Sequence, residues 1–167
     1  EKKKFIGIEL SRKKLGIVGV GNIGSIVASL AQSIGMEIIA YDPFLSDERA
    51  KNLKIYKTKD LNDLLSQSDV VTLHLPKNEN THNIISIENI YKMKKGSILV
   101  NCARGGLVEE IAVAEAIKTK HLSAAAFDVF LEEPATSNPL FGLKNVICTP
   151  HLGASTAEAQ EKVSFQI

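Results

Sequence analysis

The chain has 167 residues, which is enough for one ordinary domain and too few for two of average size. Lys and Arg total 20 and Asp and Glu total 19, so the formal net charge is only +1. This balance excludes the strongly basic surface that binds nucleic acids and anionic membranes. Apolar residues make up 44% of the sequence, a fraction typical of globular proteins and well above that of disordered chains.

The sequence also bears on where the protein works. No apolar stretch approaches the roughly 18–20 residues that span a bilayer, and the N-terminus lacks the apolar core of a secretory signal. Cys102 and Cys148 lie far apart without metal-ligand spacing, which favours free thiols, no bound metal and a reducing compartment. We therefore expect a cytoplasmic protein. Its first residue, Glu1 rather than Met, suggests a piece of a longer chain.

Short β-branched apolar runs alternate with helix-like stretches along the whole chain. This alternation is typical of a parallel sheet with helices on both faces, and no repeat, low-complexity tract or linker divides it. The sequence therefore predicts one α/β domain with a doubly wound parallel sheet. The predicted strands span residues 15–20, 37–41, 70–73, 97–101, 124–128 and 146–148, and the predicted helices begin near Asn22, Asp47, Asp60, Ser86, Glu109 and Ser155.

A glycine-rich motif follows the first predicted strand. Gly19, Gly21 and Gly24 fit the G-x-G-x-x-G pattern, and Ile23, Val27, Leu30 and Ile34 continue after it at helical spacing. In such a motif the first glycine permits a tight turn, the second lets the backbone approach a pyrophosphate, and the third lets helix and strand pack closely. The phosphates would lie at the N-terminus of the following helix. The alternative is an ordinary strand–turn–helix.

Asp42 indicates which dinucleotide is bound. It ends the second predicted strand, 18 positions after Gly24, where a carboxylate can accept hydrogen bonds from the adenosine ribose and repel a 2′-phosphate. Pro43 and Phe44 follow it and supply no cation for that phosphate. The pattern favours NAD over NADP and a Rossmann-type fold. The alternative is that Asp42 is only a turn residue ahead of Pro43.

Polar segments follow several later strands, at the edge where open parallel sheets bind ligands. A hydride-transfer site for a 2-hydroxy acid needs a cation for the carboxylate and a base for the hydroxyl proton. Arg104 offers a bidentate fork, and His151 titrates in the useful range. Taken alone, Arg104 could equally form a surface salt bridge, and His151 could be structural. Glu132 and Glu133 are both candidates for the partner of His151, and spacing does not separate them.

Four ordered motifs together resemble the D-isomer-specific 2-hydroxyacid dehydrogenases. They are the glycine motif with Asp42, the segment 101–106 (NCARGG), the segment 128–134 and the segment 150–156 (PHLGAST). The similarity covers essentially the whole chain. The segments 101–106 and 149–156 are most similar to the branch of the family that oxidises 3-phospho-D-glycerate to 3-phosphohydroxypyruvate in serine biosynthesis. The glycerate, glyoxylate and lactate branches carry close variants and remain alternatives.

The resemblance implies a role for individual residues. Arg104 would bind the substrate carboxylate and carbonyl oxygen, His151 would be the general acid/base, and Glu133 would be its carboxylate partner. Asn22 stands where many family members have Arg, so one charged phosphate contact is expected to be missing. The implied NAD contacts are Asn22 and Ile23 at the pyrophosphate, Asp42 at the adenosine ribose, Leu75 and Pro76 near the adenine, Cys102 and Ala103 at the nicotinamide ribose, and Asp128, Gly153 and Ala154 near the nicotinamide.

Several other reactive side chains are predicted to be structural. Cys102 has no adjacent histidine and is expected to line the pocket, and Cys148 is expected in the core. His82 and His121 occupy polar segments and are expected at the surface, whereas His74 lines the cofactor cleft. Ser155 with Glu158 predicts a capping box at the last helix.

The family resemblance also implies what the chain lacks. Family members bind a small 2-hydroxy or 2-keto acid between two domains, so residues 1–167 would be the NAD-binding domain of a longer two-domain enzyme whose substrate-binding domain is absent from this chain. The chain alone should bind NAD(H) and turn over substrate poorly. A homodimer or higher homo-oligomer through this domain is implied. The alternatives are an NAD(H)-sensing binding protein with the same motifs and a domain for another adenine cofactor.

Overall fold

The computed structural model describes residues 7–164, which form a seven-stranded parallel sheet. The strands are β1 (Lys14–Val18), β2 (Glu37–Tyr41), β3 (Tyr56–Lys57), β4 (Val70–Leu73), β5 (Ile98–Asn101), β6 (Ala124–Phe127) and β7 (Val146–Cys148), in the spatial order β3-β2-β1-β4-β5-β6-β7. The chain first builds outward from β1 to β3 and then crosses back to continue from β4 to β7. This reversal beside β1 confirms the doubly wound topology predicted from the sequence.

Residues 7–164 contain five helices, four of which contribute buried side chains to the two faces of the sheet. They are α1 (Asn22–Ser33), α2 (Asp47–Asn52), α3 (Leu61–Gln67), α4 (Glu110–Lys118) and α5 (Ala157–Ser164). Buried side chains of α1 and α2 pack on one face, and those of α3 and α4 pack on the other. None of the helices between residues 7 and 164 is long and apolar enough to cross a bilayer.

The register of the central strands explains how two cores form. In β1, Ile17 joins the apolar cluster on one face while its neighbour Val18 joins the cluster on the other, and both side chains are fully buried. Alternate residues of a strand point to opposite faces, so a continuous apolar run serves a sheet that is covered twice. Burial of both faces leaves the strand ends as the place where polar side chains can gather.

The structure corrects the predicted elements at two places. β3 was absent from the prediction, because it has only two residues and one of them, Tyr56, is 63% exposed, so no apolar run marks it. The helix predicted near Ser86 is instead a single 3-10 turn at Ile90–Lys92. There the side chain of Asn89 accepts a hydrogen bond from the backbone N–H of Ser86, a local bond that competes with helix formation.

Small side chains form the buried face of α1. Gly24, Ala28 and Ala31 face the sheet, whereas three of the four large residues that suggested the helix are exposed and the fourth, Val27, is half-buried against the core. A Cβ atom on Gly24 would lie 2.1 Å from the carbonyl oxygen of Gly19. The helix and the turn after β1 are therefore too close to each other for any side chain at position 24. The large side chains form an exposed apolar stripe, and this α1 stripe consists of Ile23, Ile26, Leu30 and Ile34.

The cap of the last helix lies one residue later than predicted. The hydroxyl of Thr156 accepts a hydrogen bond from the backbone N–H of Ala159 at 3.1 Å, so Thr156 caps α5 and the prediction of Ser155 is wrong. From the sequence we also expect residues 5–10 to form a strap that leads into the domain, and its first two residues, Phe5 and Ile6, lie outside the described residues.

Candidate functional site

The glycine motif forms the tight turn expected between β1 and α1. Gly19 has φ +94°, and a Cβ atom there would lie 2.6 Å from the carbonyl oxygen of His74, so only glycine fits without displacing the backbone. Gly21 is different, because a Cβ atom on it would meet nothing within 4 Å. The turn is therefore tight on the protein side and open on the outer side, where a phosphate could approach.

The N-terminus of α1 faces this open side. Gly21 is its N-cap residue, and among the described residues no side chain caps the helix and no acidic side chain stands in its first turn. The first N–H groups of a helix have no partner within it and carry partial positive charge. Asn22 and Ile23 lie there and are both exposed, so the backbone is accessible to a pyrophosphate.

Asp42 holds the end of β2 through both of its carboxylate oxygens. Oδ2 accepts the backbone N–H of Val20 at 2.8 Å, and Oδ1 accepts that of Phe44 at 2.8 Å. The turn role that we considered as an alternative is therefore real, but it does not exhaust the carboxylate, which has about four acceptor sites. Asp42 thus joins the glycine turn to β2 and keeps capacity for two ribose hydroxyls.

Phe44, a neighbour of this cleft, was absent from the predicted site, whereas Leu75 and Pro76 were part of it. Phe44 is 96% exposed directly beside Asp42, and its sequence signal was an aromatic residue just after the acidic one. The side chain of Leu75 covers Gly19, with its Cδ2 2.6 Å from the position of a Cβ atom there. The sequence places Leu75 only near the adenine, so its packing against Gly19 is an additional role. Pro76 is exposed, and its carbonyl accepts the hydroxyl of Thr81 at 2.7 Å.

His74 lies beneath the same turn, as the sequence suggested. Its Nε2 lies 3.2 Å from the hydroxyl of Thr72, and burial lowers the pKa of the imidazole below its ordinary value. Burial disfavours the charged form, so His74 is neutral at physiological pH. His82 is exposed as predicted, but His121 is half-buried against Tyr91 with ring centroids 5.0 Å apart, which corrects its assignment to the surface.

The segment after β5 presents Arg104. The buried side chain of Asn101 accepts the N–H of Ala103 at 3.1 Å and donates to the carbonyl of Arg104 at 3.0 Å, which fixes the loop. The guanidinium of Arg104 is exposed, and its only bond within residues 7–164 is to the carbonyl of Ala103. No carboxylate in that range pairs with it, so Arg104 remains available to an anionic ligand.

Gly105 lets the Arg104 loop cross the Glu133 loop. A Cβ atom on Gly105 would lie 1.7 Å from the carbonyl oxygen of Phe130, a separation that no side chain allows. The same loop is held from the other side by Glu110, which accepts the N–H of Leu131 at 2.9 Å and the amide of Asn138 at 2.6 Å. Sequence reasoning missed Glu110, because a glutamate that begins a helix usually needs no tertiary role.

Glu133 and His151 form a hydrogen-bonded pair. Nδ1 of His151 lies 2.7 Å from Oε2 of Glu133, while Oε1 of Glu133 accepts the N–H of Phe130 at 2.9 Å. The Phe130 N–H and the His151 contact lower the pKa of Glu133 below its ordinary value. An ionised carboxylate only accepts hydrogen bonds, so Nδ1 carries the hydrogen and Nε2 of the neutral ring is a free proton acceptor.

This geometry decides between the two adjacent glutamates. Glu133 contacts His151, whereas Glu132 borders a different depression lined by Glu109 and Glu110. Residue spacing could not make this distinction, because the chain turns sharply between Phe130 and Pro134.

Asp128 is buried behind the His151 loop, with 7% of its surface exposed. Its carboxylate accepts the hydroxyl of Thr149 and the backbone N–H groups of Leu152 and Gly153. Burial alone would raise the pKa of Asp128, but these three hydrogen bonds and the nearby His151 together lower it below its ordinary value. Asp128 therefore stays ionised and structurally engaged. Ala154, beyond this loop, is exposed.

Neither cysteine is an activated nucleophile. Cys102 is exposed beside the loop, and burial of its sulfur together with the nearby Asp128 charge raises the pKa of the thiol. Cys148 is half-buried rather than fully in the core, and burial raises its pKa as well. The thiolate is the reactive form, so both shifts reduce reactivity. Cys148 instead lines an apolar cavity of about 530 Å³ next to the hydrogen-bonded pair of Glu133 and His151, which we call the dyad. The other residues that line this cavity are Phe130, Pro134, Ala135, Phe141, Thr149 and Pro150.

The site therefore has two parts along one sheet edge. The glycine turn, the α1 N-terminus and Asp42 form a nucleotide cleft at β1 and β2, while Arg104, Glu133 and His151 follow β5, β6 and β7. In the described part of the chain, no group of three or more His, Cys, Asp or Glu side chains is arranged to hold a metal ion.

Comparison with known proteins agrees with this arrangement. Residues 1–153 match the family model described as D-isomer specific 2-hydroxyacid dehydrogenase, NAD binding domain. The chain belongs to this family. Its cofactor is NAD, and the open glycine turn, the uncapped helix and the carboxylate at the end of β2 fit that dinucleotide.

Individual relatives carry several substrate names. A D-3-phosphoglycerate dehydrogenase of Methanocaldococcus jannaschii is 50% identical over 161 residues, which cover 96% of this chain and 31% of that protein. The apo crystal structure of Rhodotorula graminis D-mandelate dehydrogenase matches with a TM-score of 0.88 and 32% identity, over 95% of this chain and 46% of that one.

A D-lactate dehydrogenase of Lactobacillus jensenii, solved with NAD+, matches with a TM-score of 0.84 and 29% identity, over 96% of this chain and 53% of that one. The chain spans about a third of the length of the first curated relatives it matches.

The lowered pKa values of Asp128 and Glu133 predict acid sensitivity. A carboxyl whose pKa is lower in the folded state stabilises the fold above its unfolded pKa of about 4, and this stability is lost as the pH falls through the folded pKa. Asp128→Asn should lower the free energy of unfolding by about 1–3 kcal/mol at pH 7, and the difference should shrink towards pH 3. Urea unfolding at pH 7, 5 and 3 measures this.

Asp47→Asn is the matched control, because the side chain of Asp47 is 94% exposed and its ion pair with Lys57 is solvated. It should leave the pH profile unchanged. A deficit in Asp128→Asn that stays constant from pH 7 to pH 3 would contradict the assignment.

Proposed function

We propose that residues 1–167 are the NAD-binding domain of a longer two-domain D-2-hydroxyacid dehydrogenase whose substrate-binding domain lies outside this chain. The observation that carries the proposal is the His151–Glu133 pair at 2.7 Å, at the same sheet edge as the exposed Arg104. An acid–base pair, a free guanidinium and a dinucleotide cleft are the components that hydride transfer on a hydroxy acid requires. The reaction would take place in the cytoplasm, where free thiols such as Cys102 and Cys148 stay reduced.

The residues of this chain divide the chemistry among them. When bound, NAD supplies the hydride acceptor for C2 of the hydroxy acid. Nε2 of neutral His151 takes the proton of the C2 hydroxyl, and Glu133 stabilises the imidazolium that results. Arg104 holds the substrate carboxylate and orients C2. In the reductive direction protonated His151 returns the proton to the keto oxygen.

The proposed substrate is 3-phospho-D-glycerate, oxidised to 3-phosphohydroxypyruvate. It is supported by the D-3-phosphoglycerate dehydrogenases that are 45–50% identical to this chain. A second cation also lies nearby, because Nζ of Lys77 is 2.9 Å from the position of a Cβ atom on Gly106, two residues beyond Arg104. A second cation at the Arg104 loop favours a substrate with more than one anionic group.

The decisive experiment supplies the missing domain. This chain would replace the matching segment of the Methanocaldococcus jannaschii relative, and NADH oxidation would be followed with 3-phosphohydroxypyruvate, glyoxylate and pyruvate. We expect 3-phosphohydroxypyruvate to give the highest kcat/KM. His151→Ala should lower turnover by about 10²–10⁴-fold, because it removes the acid–base group, and should leave NADH affinity nearly intact.

His82→Ala is the matched control, since His82 is exposed outside the dyad. Undiminished turnover in His151→Ala would disprove the catalytic assignment. A folded chimera that binds NADH and reduces none of the three acids would favour an NAD(H)-sensing role.

Cofactor preference should depend on Asp42. Asp42→Asn should weaken NADH binding by about 10–100-fold, because a charge-assisted hydrogen bond to the ribose is lost, and should narrow the preference over NADPH. Fluorescence titration of this chain with both nucleotides measures the two affinities. Asp47→Asn, farther along the same connection, should change neither. Equal selectivity in Asp42→Asn and the unmodified chain would contradict the proposal.

We also propose that the domain forms a homo-oligomer through the α1 stripe. Ile23, Ile26, Leu30 and Ile34 are 55–67% exposed and lie on one helix face. An exposed row of four large apolar side chains is typical of an interface, and a second copy of the same stripe is its simplest complement.

Leu30→Lys should shift this chain to a monomer in sedimentation velocity, because it places a charge in the centre of the stripe. Ser29→Lys, on the flank of the same helix, should not. An unmodified chain that is monomeric at all concentrations would contradict the proposal.

A further inference from the structure

The backbone at His151 adopts a conformation that its residue type disfavours. Its φ is +56°, in the left-handed region that side chains with a Cβ atom rarely occupy. Such a conformation persists only where the surrounding structure holds it. The imidazole contacts Glu133, but a side-chain bond fixes the ring and not the chain on either side of it. Something else must hold the backbone of the His151 loop.

One buried carboxylate bonds to the chain on both sides of His151. After the histidine, the N–H of Leu152 donates to Oδ1 of Asp128 at 2.8 Å and that of Gly153 donates to Oδ2 at 3.1 Å. Before it, the hydroxyl of Thr149 donates to Oδ1 at 2.6 Å. Asp128 is 7% exposed, so water competes little for these bonds. Residues 149, 152 and 153 are thereby fixed to a single point on the end of β6.

Thr149 is the side-chain member of this arrangement. Its backbone N–H donates to the carbonyl of Phe127 at 2.9 Å, which extends the β6–β7 pairing and places its hydroxyl beside Asp128. The Thr149 hydroxyl orients the carboxylate, and the oriented carboxylate holds the two N–H groups that follow His151. Without this donor, the carboxylate would be held only by the N–H groups of Leu152 and Gly153, which belong to the loop that it has to position.

We infer that Thr149 is a positioning residue, whose hydroxyl orients Asp128 so that the His151 loop holds the imidazole Nδ1 against Glu133. The inference rests on the proposed function and deepens it, since it names a group that sets the tautomer of the acid–base histidine. Thr149 lines the same cavity as Glu133 and His151. In this inference its effect on the reaction passes through Asp128 and His151.

The test uses three variants of this chain. Thr149→Val removes the hydroxyl and keeps the shape, and Thr149→Ser keeps the hydroxyl and removes a methyl group. Thr58→Val removes a hydroxyl that is buried more deeply than that of Thr149 and bonds to the carbonyls of Ala40 and Asp60, far from the Glu133–His151 pair. Thr58→Val therefore reproduces the loss of a buried hydrogen bond without touching the His151 loop.

The primary measurement is the tautomer of the neutral His151 ring, read from long-range ¹H–¹⁵N correlation spectra. In the unmodified chain the Nδ1–H form should exceed the Nε2–H form by about tenfold, because Nδ1–H donates to a carboxylate. Thr149→Val should lower this ratio at least about threefold, whereas Thr149→Ser and Thr58→Val should preserve it. An unchanged ratio in folded Thr149→Val, or an equal loss in Thr58→Val, would overturn the inference.

A second measurement separates the inference from the proposed function. In the chimera, Thr149→Val should lower kcat about 10–100-fold with KM and NADH affinity within about threefold, and Thr149→Ser should recover most of kcat. The tautomer measurement needs neither substrate nor NAD. If the chimera has no activity, the proposed function fails while the tautomer ratio still decides the inference. If kcat is unaffected in an active chimera, the inference fails alone.

Discussion

The fold depends on one constraint, which is that a sheet of seven parallel strands must be buried on both faces. Because the strands are parallel, their carboxyl ends all lie along the same edge of the sheet. Few polar side chains are buried within the described strands, Thr72 and Asn101 among them, so most polar side chains lie in loops such as those along that edge. Asp42, Arg104, Asp128 and His151 come from four different parts of the sequence, and the parallel sheet brings them to one side of the molecule.

Much of the fold could be predicted because its signals are local. Gly19, Gly21 and Gly24 mark the turn between β1 and α1, and apolar runs mark six of the seven strands. β3 was missed because two residues with an exposed tyrosine carry no apolar pattern. The segment near Ser86 was mistaken for a helix because the side chain of Asn89 bonds to the backbone of Ser86, and only the short 3-10 turn at Ile90–Lys92 forms after it.

The site was predictable in its residue types and less so in its contacts. The family resemblance singled out Glu133 over Glu132, but only the sharp turn of the chain shows why one reaches His151 and the other does not. Asp128 was assigned to the nicotinamide, and its bonds to Thr149, Leu152 and Gly153 were not foreseen, since three partners more than twenty residues away leave no periodic trace. Glu110 escaped for the same reason.

The small residues beneath α1 have a consequence for evolution and engineering. The small size of Gly24, Ala28 and Ala31 sets the distance between the axis of α1 and β1. Because the phosphate-facing end belongs to the same rigid rod, a methyl group added at Ala28 or Ala31 would tilt or lift that end from a point five or more residues away. We therefore expect substitutions at Ala28 or Ala31, on the buried face of α1, to change the affinity for the dinucleotide although neither residue lies at the N-terminus of the helix.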